Sequence, residues 1–172
     1  MSGADVSIRE EEPEDVGAIR HVNETAFGRP EEARLVALLR AQGGALLSLV
    51  AVAAGRVVGH ILFSPVSIGS SSDALVGAGL GPMAVLPEFQ RRGVGSKLVA
   101  EGTRRLRKRE CPFIVVLGHP EYYPRLGFVV ASRHGLRCPW DVPDAAFMVL
   151  PLDPARLRAG VIRYRDEFST FT

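Results

Sequence analysis

The stretch Gln90-Arg91-Arg92-Gly93-Val94-Gly95-Ser96-Lys97 sets two arginines against two glycines spaced one apart, just before a helical pattern begins. Those residue types suit an anion. The first turn of a helix leaves four backbone N–H groups without internal partners, and the helix dipole favours negative charge there. Glycine at 93 and 95 removes the Cβ that would bar a phosphate, and permits positive φ. Arg91 and Arg92 can add charge-assisted hydrogen bonds, and Ser96 a hydroxyl. Two familiar phosphate loops do not fit. Gly95-Ser96-Lys97 runs in the wrong order for G-x-x-x-x-G-K-[ST], and Gly77, Gly79 and Gly81 have the wrong spacing for G-x-G-x-x-G. The glycines alone also fit a plain, basic strand-to-helix turn.

The elements that must position these residues are readable from pattern. Val6 to Arg9 reads as a strand. Pro13 opens a helix whose apolar stripe is Val16, Ile19, Val22 and Phe27, with Glu12, Glu14 and Asp15 complementing its dipole. Gly28-Arg29-Pro30 breaks it. A second helix runs from about Glu31 to Gln42, with Leu35, Leu38 and Leu39 inward. Leu47 to Ala54 and Arg56 to Ile68 form a hairpin around Ala54 and Gly55. Leu75 to Val85 is a glycine-bearing strand, and glycine inside a strand often marks a bulge or a close approach. A helix follows from Val94 to about Arg109, with Leu98, Gly102 and Leu106 at spacing four. Phe113 to Leu117 is a strand, and Gly118 to Phe128 a tight loop with one short helix. Val129 to Leu136 and Phe147 to Leu152 read as strands, and Val161 to Tyr164 as a last edge strand. The order predicts an α+β or α/β layer fold, its sheet mixed and mostly antiparallel with one crossover.

The 172 residues predict one domain, with a core at about 6–152 and a tail at about 153–172. The longest apolar run, Ala45 to Ala54, is too short for a membrane span, and the polar, acidic N-terminus has no apolar signal core, so the expected location is cytoplasmic. Cys111 and Cys138 are read as reduced thiols. The four histidines have no metal-ligand spacing, and no metal is expected. A net charge of +2 is too small to predict a nucleic-acid or membrane partner. The basic run Thr103 to Glu110 suits a solvated helix end, where cations complement the dipole.

Leu80 to Val99, LGPMAVLPEFQRRGVGSKLV, followed by an apolar strand and then by Glu121 to Phe128, EYYPRLGF, resembles the GNAT superfamily of acyl-CoA-dependent N-acetyltransferases. Gln90 to Gly95 is similar to its acetyl-CoA motif Q/R-x-x-G-x-G/A, behind the Ala84-Val85-Leu86-Pro87 pattern that ends a strand. Tyr122 to Phe128 is similar to its LYEKLGF-type helix. The likeness covers about Val6 to Leu152, and the short loop with the strand Gly59 to Val66 looks most like the YhbS-like branch.

The resemblance implies a splayed pair of central strands around 75–85 and 113–117 that holds a pantetheine arm. Backbone groups of Met83, Ala84 and Val85 would pair with its amides, and amides from Arg91, Arg92, Gly93, Val94, Gly95 and Ser96 would take the pyrophosphate. The implied reaction passes an acetyl group from acetyl-CoA to a primary amine. Tyr123 stands where the family places its proton donor, and a phenol with a pKa near 10 can donate at neutral pH. Tyr122 is its immediate rival. His119 is a candidate proton relay, Glu24 and Phe27 are candidate acceptor-lining residues, and the general base is left open. His60, in an apolar strand, reads as a satisfied, half-buried histidine. Trp140 either shapes the acceptor pocket or caps the core. A CoA-binding sensor without turnover is the alternative function. An exposed C-terminal edge strand suggests a homodimer.

Overall fold

A computed structural model describes residues 5–171; residues 1–4, the start of the polar N-terminus, and residue 172 lie outside it. β1 (Val6–Glu10) leads through a short turn at Pro13 into α1 (Val16–Phe27). The Asp15 carboxylate fixes that entry by accepting from the Glu12 N–H at 2.7 Å and from Arg9 at 2.6 Å. Gly28, at φ +68°, ends α1, and α2 (Glu31–Ala41) folds back beside it. β2 (Leu47–Ala53) and β3 (Arg56–Ile68) follow, joined through Ala54 and Gly55, both at positive φ. β4 (Leu75–Val85), α3 (Val94–Lys108) and β5 (Phe113–Leu117) make the crossover.

Pairing runs β1-β2-β3-β4-β5-β8-β6, where β6 is Val129–Val130 and β8 is Phe147–Pro151. It is antiparallel except between β4 and β5. The period-2 alternation of β2 and β3 sorts their side chains to two faces. Leu49, Ala51, Ile61 and Phe63 join the core that holds Leu98 and Leu106 of α3. Val50 and Leu62 pack instead with Ile19, Leu35 and Leu39 of α1 and α2. Gly102 lets α3 approach closely: a Cβ there would lie 2.4 Å from the Phe63 ring.

His60 shares the α1 face and is fully buried rather than half-buried. Asn23 Nδ2, which donates to the Ile19 carbonyl, lies 3.2 Å from His60 Nδ1, and Ser48 Oγ lies 2.9 Å from His60 Nε2. Ser48 in turn donates to Glu11, whose other oxygen accepts from Arg40 Nε at 2.6 Å. Burial pushes the His60 pKa down to about 3. The ring is therefore neutral and ties α1 to the sheet.

Several expectations are corrected. Val129 to Leu136 is not one strand: after β6 the chain makes a 3-10 turn at Ala131–His134, reverses at Gly135 (φ +72°) and resumes as β7 (Leu136–Arg137). Leu38 is exposed, because the buried stripe of α2 passes through Leu35, Val36 and Leu39. The last strand, β9 (Gly160–Arg163), is no free edge: it pairs with β3 on one side and β7 on the other, which removes the ground for a dimer through it. The glycines of β4 do not all make room for a ligand. A Cβ at Gly77 would strike the Phe113 ring, and one at Gly79 would strike Val66.

Candidate active site

β4 and β5 pair only at Ala78–Ile114, Gly79–Val115 and Leu80–Val116. Beyond those pairs they part. β5 stays with β8 through Leu117–Phe147, while β4 stays with β3 through Met83–Ile61, Ala84–His60 and Val85–Gly59. The parting coincides with a bulge. Between Phe63–Leu80 and Ile61–Met83, β4 places Gly81 and Pro82 opposite the single Leu62 of β3. Gly81 takes φ +142°, which favours glycine. An extra residue bends the strand and shifts which side chains face each way. Met83 to Val85 thus carry backbone groups with no strand beside them on the β5 side.

That opening joins two cavities, and Met83 lines both. The smaller, about 250 Å³, lies over the first turn of α3. Arg91 stands at φ +61° and Gly93 at φ +81°, so the chain turns sharply and leaves the N–H groups of the turn pointing outward. Gly93, Gly95 and Ser96 line this cavity with Arg91. Gln90 Nε2 donates to the Val85 carbonyl at 2.9 Å, pinning the loop to the end of β4. Arg92 does not line the cavity, and its guanidinium lies 5.8 Å from the Phe89 ring centroid. Tyr122 reaches this side: its hydroxyl is 3.0 Å from Ser96 Oγ, and a Cβ on Gly95 would come within 3.0 Å of it.

The larger cavity, about 340 Å³, lies where β4 and β5 diverge. Tyr123 and His119 line it. Tyr123 begins a 3-10 turn, Tyr123–Leu126, that Gly127 (φ +96°) stops. Its ring packs edge-on to Tyr122 and Phe128, with centroids 5.1 and 5.5 Å away, and presses on Gly118, where a Cβ would sit 2.5 Å from it. Burial, then the neighbouring Tyr122, pushes its pKa well above 10.

The rest of this cavity is mostly aromatic, with Leu35 beside the rings. Phe27 lines it, although 40% exposed, and so do Trp140, Tyr164 and Phe168, packed ring on ring at a tilt with centroids 4.7 and 5.2 Å apart. One buried carboxylate, Glu32, also lines it, held by Arg29 Nε at 2.9 Å. Glu24 lies elsewhere: it lines an outer groove between α1 and α2 and pairs with Arg20 at 2.8 Å. Glu88 pairs with Arg56. Glu32 was missed, although helical spacing sets it on one face with Leu35 and Leu39. Tyr164 and Phe168 carry no local signal, since a tail alone does not disclose where it returns. The basic run is largely engaged within the chain: Arg109 bonds Glu10, and Arg104 and Arg105 bond Glu101, holding its pKa down to about 2. Among the described residues no cluster of three or more His, Cys, Asp or Glu is arranged to hold a metal.

A sheet that splits beside a glycine-opened helix start, with a buried phenol at the split, is the framework of an acyltransferase that grips a nucleotide-bearing thioester. The profile described as acetyltransferase (GNAT) domain matches residues 45–130. The uncharacterized N-acetyltransferase YjhQ of Escherichia coli K12 is 40% identical over 164 residues, covering 91% of this chain and 90% of YjhQ. The crystal structure of the GNAT family N-acetyltransferase YhbS of Escherichia coli in complex with CoA superposes with a TM-score of 0.93 at 34% identity, over 100% of this chain and 96% of that one. A GNAT family acetyltransferase of Brucella melitensis in complex with acetyl-CoA gives 0.81 at 36% identity, over 96% and 99%. The chain belongs to the GNAT family of N-acetyltransferases.

Proposed function

We propose that the chain binds acetyl-CoA along the open side of β4 and transfers its acetyl group directly to a primary amine in the larger cavity. The observation that carries this is the end of β4–β5 pairing at Leu80–Val116, which leaves one track from the α3 cradle, past Met83, to Tyr123. The relatives whose structures hold CoA or acetyl-CoA support it. Amides from Gly93 to Ser96, with the Arg91 guanidinium, take the pyrophosphate. Met83, Ala84 and Val85 offer backbone groups to the pantetheine amides; the Val85 carbonyl already accepts from Gln90 and keeps one lone pair. A backbone N–H of that segment polarises the thioester carbonyl.

The neutral amine attacks the carbonyl carbon. The C–N bond forms, the C–S bond breaks, and the sulfur takes the Tyr123 proton. The surplus amine proton leaves to water by way of His119, and Tyr123 is reprotonated from solvent. A phenol whose pKa burial raises stays protonated until that moment. The whole chain acts as one unit in the cytoplasm: the core at 6–152 holds the acyl donor, and the tail at 153–172 completes the acceptor wall.

The test is a thermal-shift comparison of CoA, acetyl-CoA, ATP and NAD. A ligand at about 100 times its Kd adds roughly 2.7 kcal/mol, on the order of 5 °C for a chain this size. Shifts with both CoA species but not with ATP or NAD, and thiol release in the presence of amines, are expected. Binding without release with any amine would make the chain a CoA sensor.

A further inference from the structure

We infer that the acceptor is a small arylalkylamine, its ring lodged among Phe27, Trp140, Tyr164 and Phe168 and its amine met by the Glu32 carboxylate. This rests on the acetyl transfer proposed above and names the substrate class for that site. The larger cavity has two sides. The side made by Leu80 to Met83 and Val116 to Gly118 follows the split between the strands and serves the thioester. The opposite side belongs to α1, α2, the loop at Trp140 and the tail. Glu32 is the one charged side chain there; the others, Phe27, Leu35, Trp140, Tyr164 and Phe168, are aliphatic or aromatic.

Three properties of that side select the ligand. The space, about 340 Å³ shared with the thioester, admits a molecule of one ring and a short chain. Trp140, Tyr164 and Phe168 form a row of tilted rings, with centroids 4.7 and 5.2 Å apart, and such a wall favours another ring or a cation over a ring face. Glu32, 4% exposed, is oriented by Arg29, which donates from Nε and Nη2 to Oε1 at 2.9 and 2.5 Å and from Nε to Oε2 at 3.1 Å. Each carboxylate oxygen accepts more than one hydrogen bond, so it can still receive an amine N–H. A polyamine, an amino sugar or a peptide would bury several further charges, hydroxyls or amides, whereas this wall offers them only the Tyr164 hydroxyl and the Trp140 indole N–H, and an unpaired buried polar group is costly.

Trp140 is the only tryptophan, so fluorescence excited selectively in tryptophan reports on this wall alone. The full chain saturated with CoA is titrated with phenethylamine, spermidine, lysine amide and glucosamine, and turnover of each with acetyl-CoA is read by thiol release. Phenethylamine is expected to change Trp140 fluorescence saturably, and to exceed the others in kcat/KM by at least tenfold. Glu32→Gln is expected to raise its KM at least tenfold while kcat moves less than threefold and the acetyl-CoA thermal shift is unchanged. Phe168→Ala, a milder change on the tail, is expected to erase the preference over spermidine. Equal or better use of spermidine, lysine amide or glucosamine overturns the inference, as does an unchanged KM in both variants. CoA binding without any phenethylamine response sinks this inference alone, whereas absence of CoA binding removes the acetyl-transfer reading itself.

Discussion

Tyr122 and Tyr123 are adjacent in the chain, yet the tight turn at Gly118–Phe128 sends them to different cavities. Tyr122 meets Ser96 above the α3 cradle, and Tyr123 faces the split between the strands. The sequence left the two as rivals because a short helix begun by His-Pro gives no rotational phase. Packing of Tyr123 on Gly118 supplies it. Tyr123→Phe should lower kcat roughly a hundredfold or more, the usual size of a general-acid contribution, with little change in acetyl-CoA KM. Tyr122→Phe should keep kcat within about threefold and raise acetyl-CoA KM. Steady-state kinetics of the two variants decide between the residues, and full kcat in Tyr123→Phe would sink its assignment. Gly93 was legible because its requirement is local, an αL turn before a helix. Glu32 was not, because two acids opening a helix look alike until one of them is seen to share the phase of Leu35 and Leu39.

At the scale of elements, α3 is set by a contact that pattern only hints at. Gly102 fell on the apolar stripe at spacing four, and the structure shows why a missing side chain belongs there: Phe63 of β3 fills the place. On an exposed helix, Gly→Ala gains up to about 1 kcal/mol. Here Gly102→Ala should instead cost roughly 1–3 kcal/mol, because the ring is buried and cannot move aside. Urea unfolding fixes the sign, and a stabilised variant would contradict the packing described. The long strands and the crossover helix were readable because each carries a sustained period. The stretch Val129 to Leu136 was misread because its apolar residues suit a strand, while Gly135 imposes a reversal that propensity alone does not place.

For the molecule as a whole, the buried link from α1 to the sheet ties stability to acidity. His60 has a folded pKa of about 3, below its ordinary 6.5. Below pH 6.5 the unfolded chain therefore binds a proton that the folded chain refuses, and stability falls as pH falls. Asp15 and Glu167, also held low by arginine partners, begin to matter only nearer the carboxylate range. Between pH 6.5 and 5 the loss should be at most about 2 kcal/mol, and His60→Gln should flatten that slope. Chemical denaturation at several pH values reads it directly, and an equal slope in the variant would show that His60 is not its source. The general architecture was legible, since the order of elements and two linked motifs constrain it. The return of the tail was not, because Tyr164 and Phe168 gain their meaning only against residues distant in the chain, from Trp140 back to Phe27, Glu32 and Leu35. That return has a consequence for synthesis. The residues of the acyl-donor track are all synthesised once Tyr123 is added, but the aromatic wall waits for Phe168, about forty-five residues later. At the usual pace of roughly 5–20 residues per second, several seconds separate the synthesis of the residues that hold the donor from that of the residues that select the acceptor.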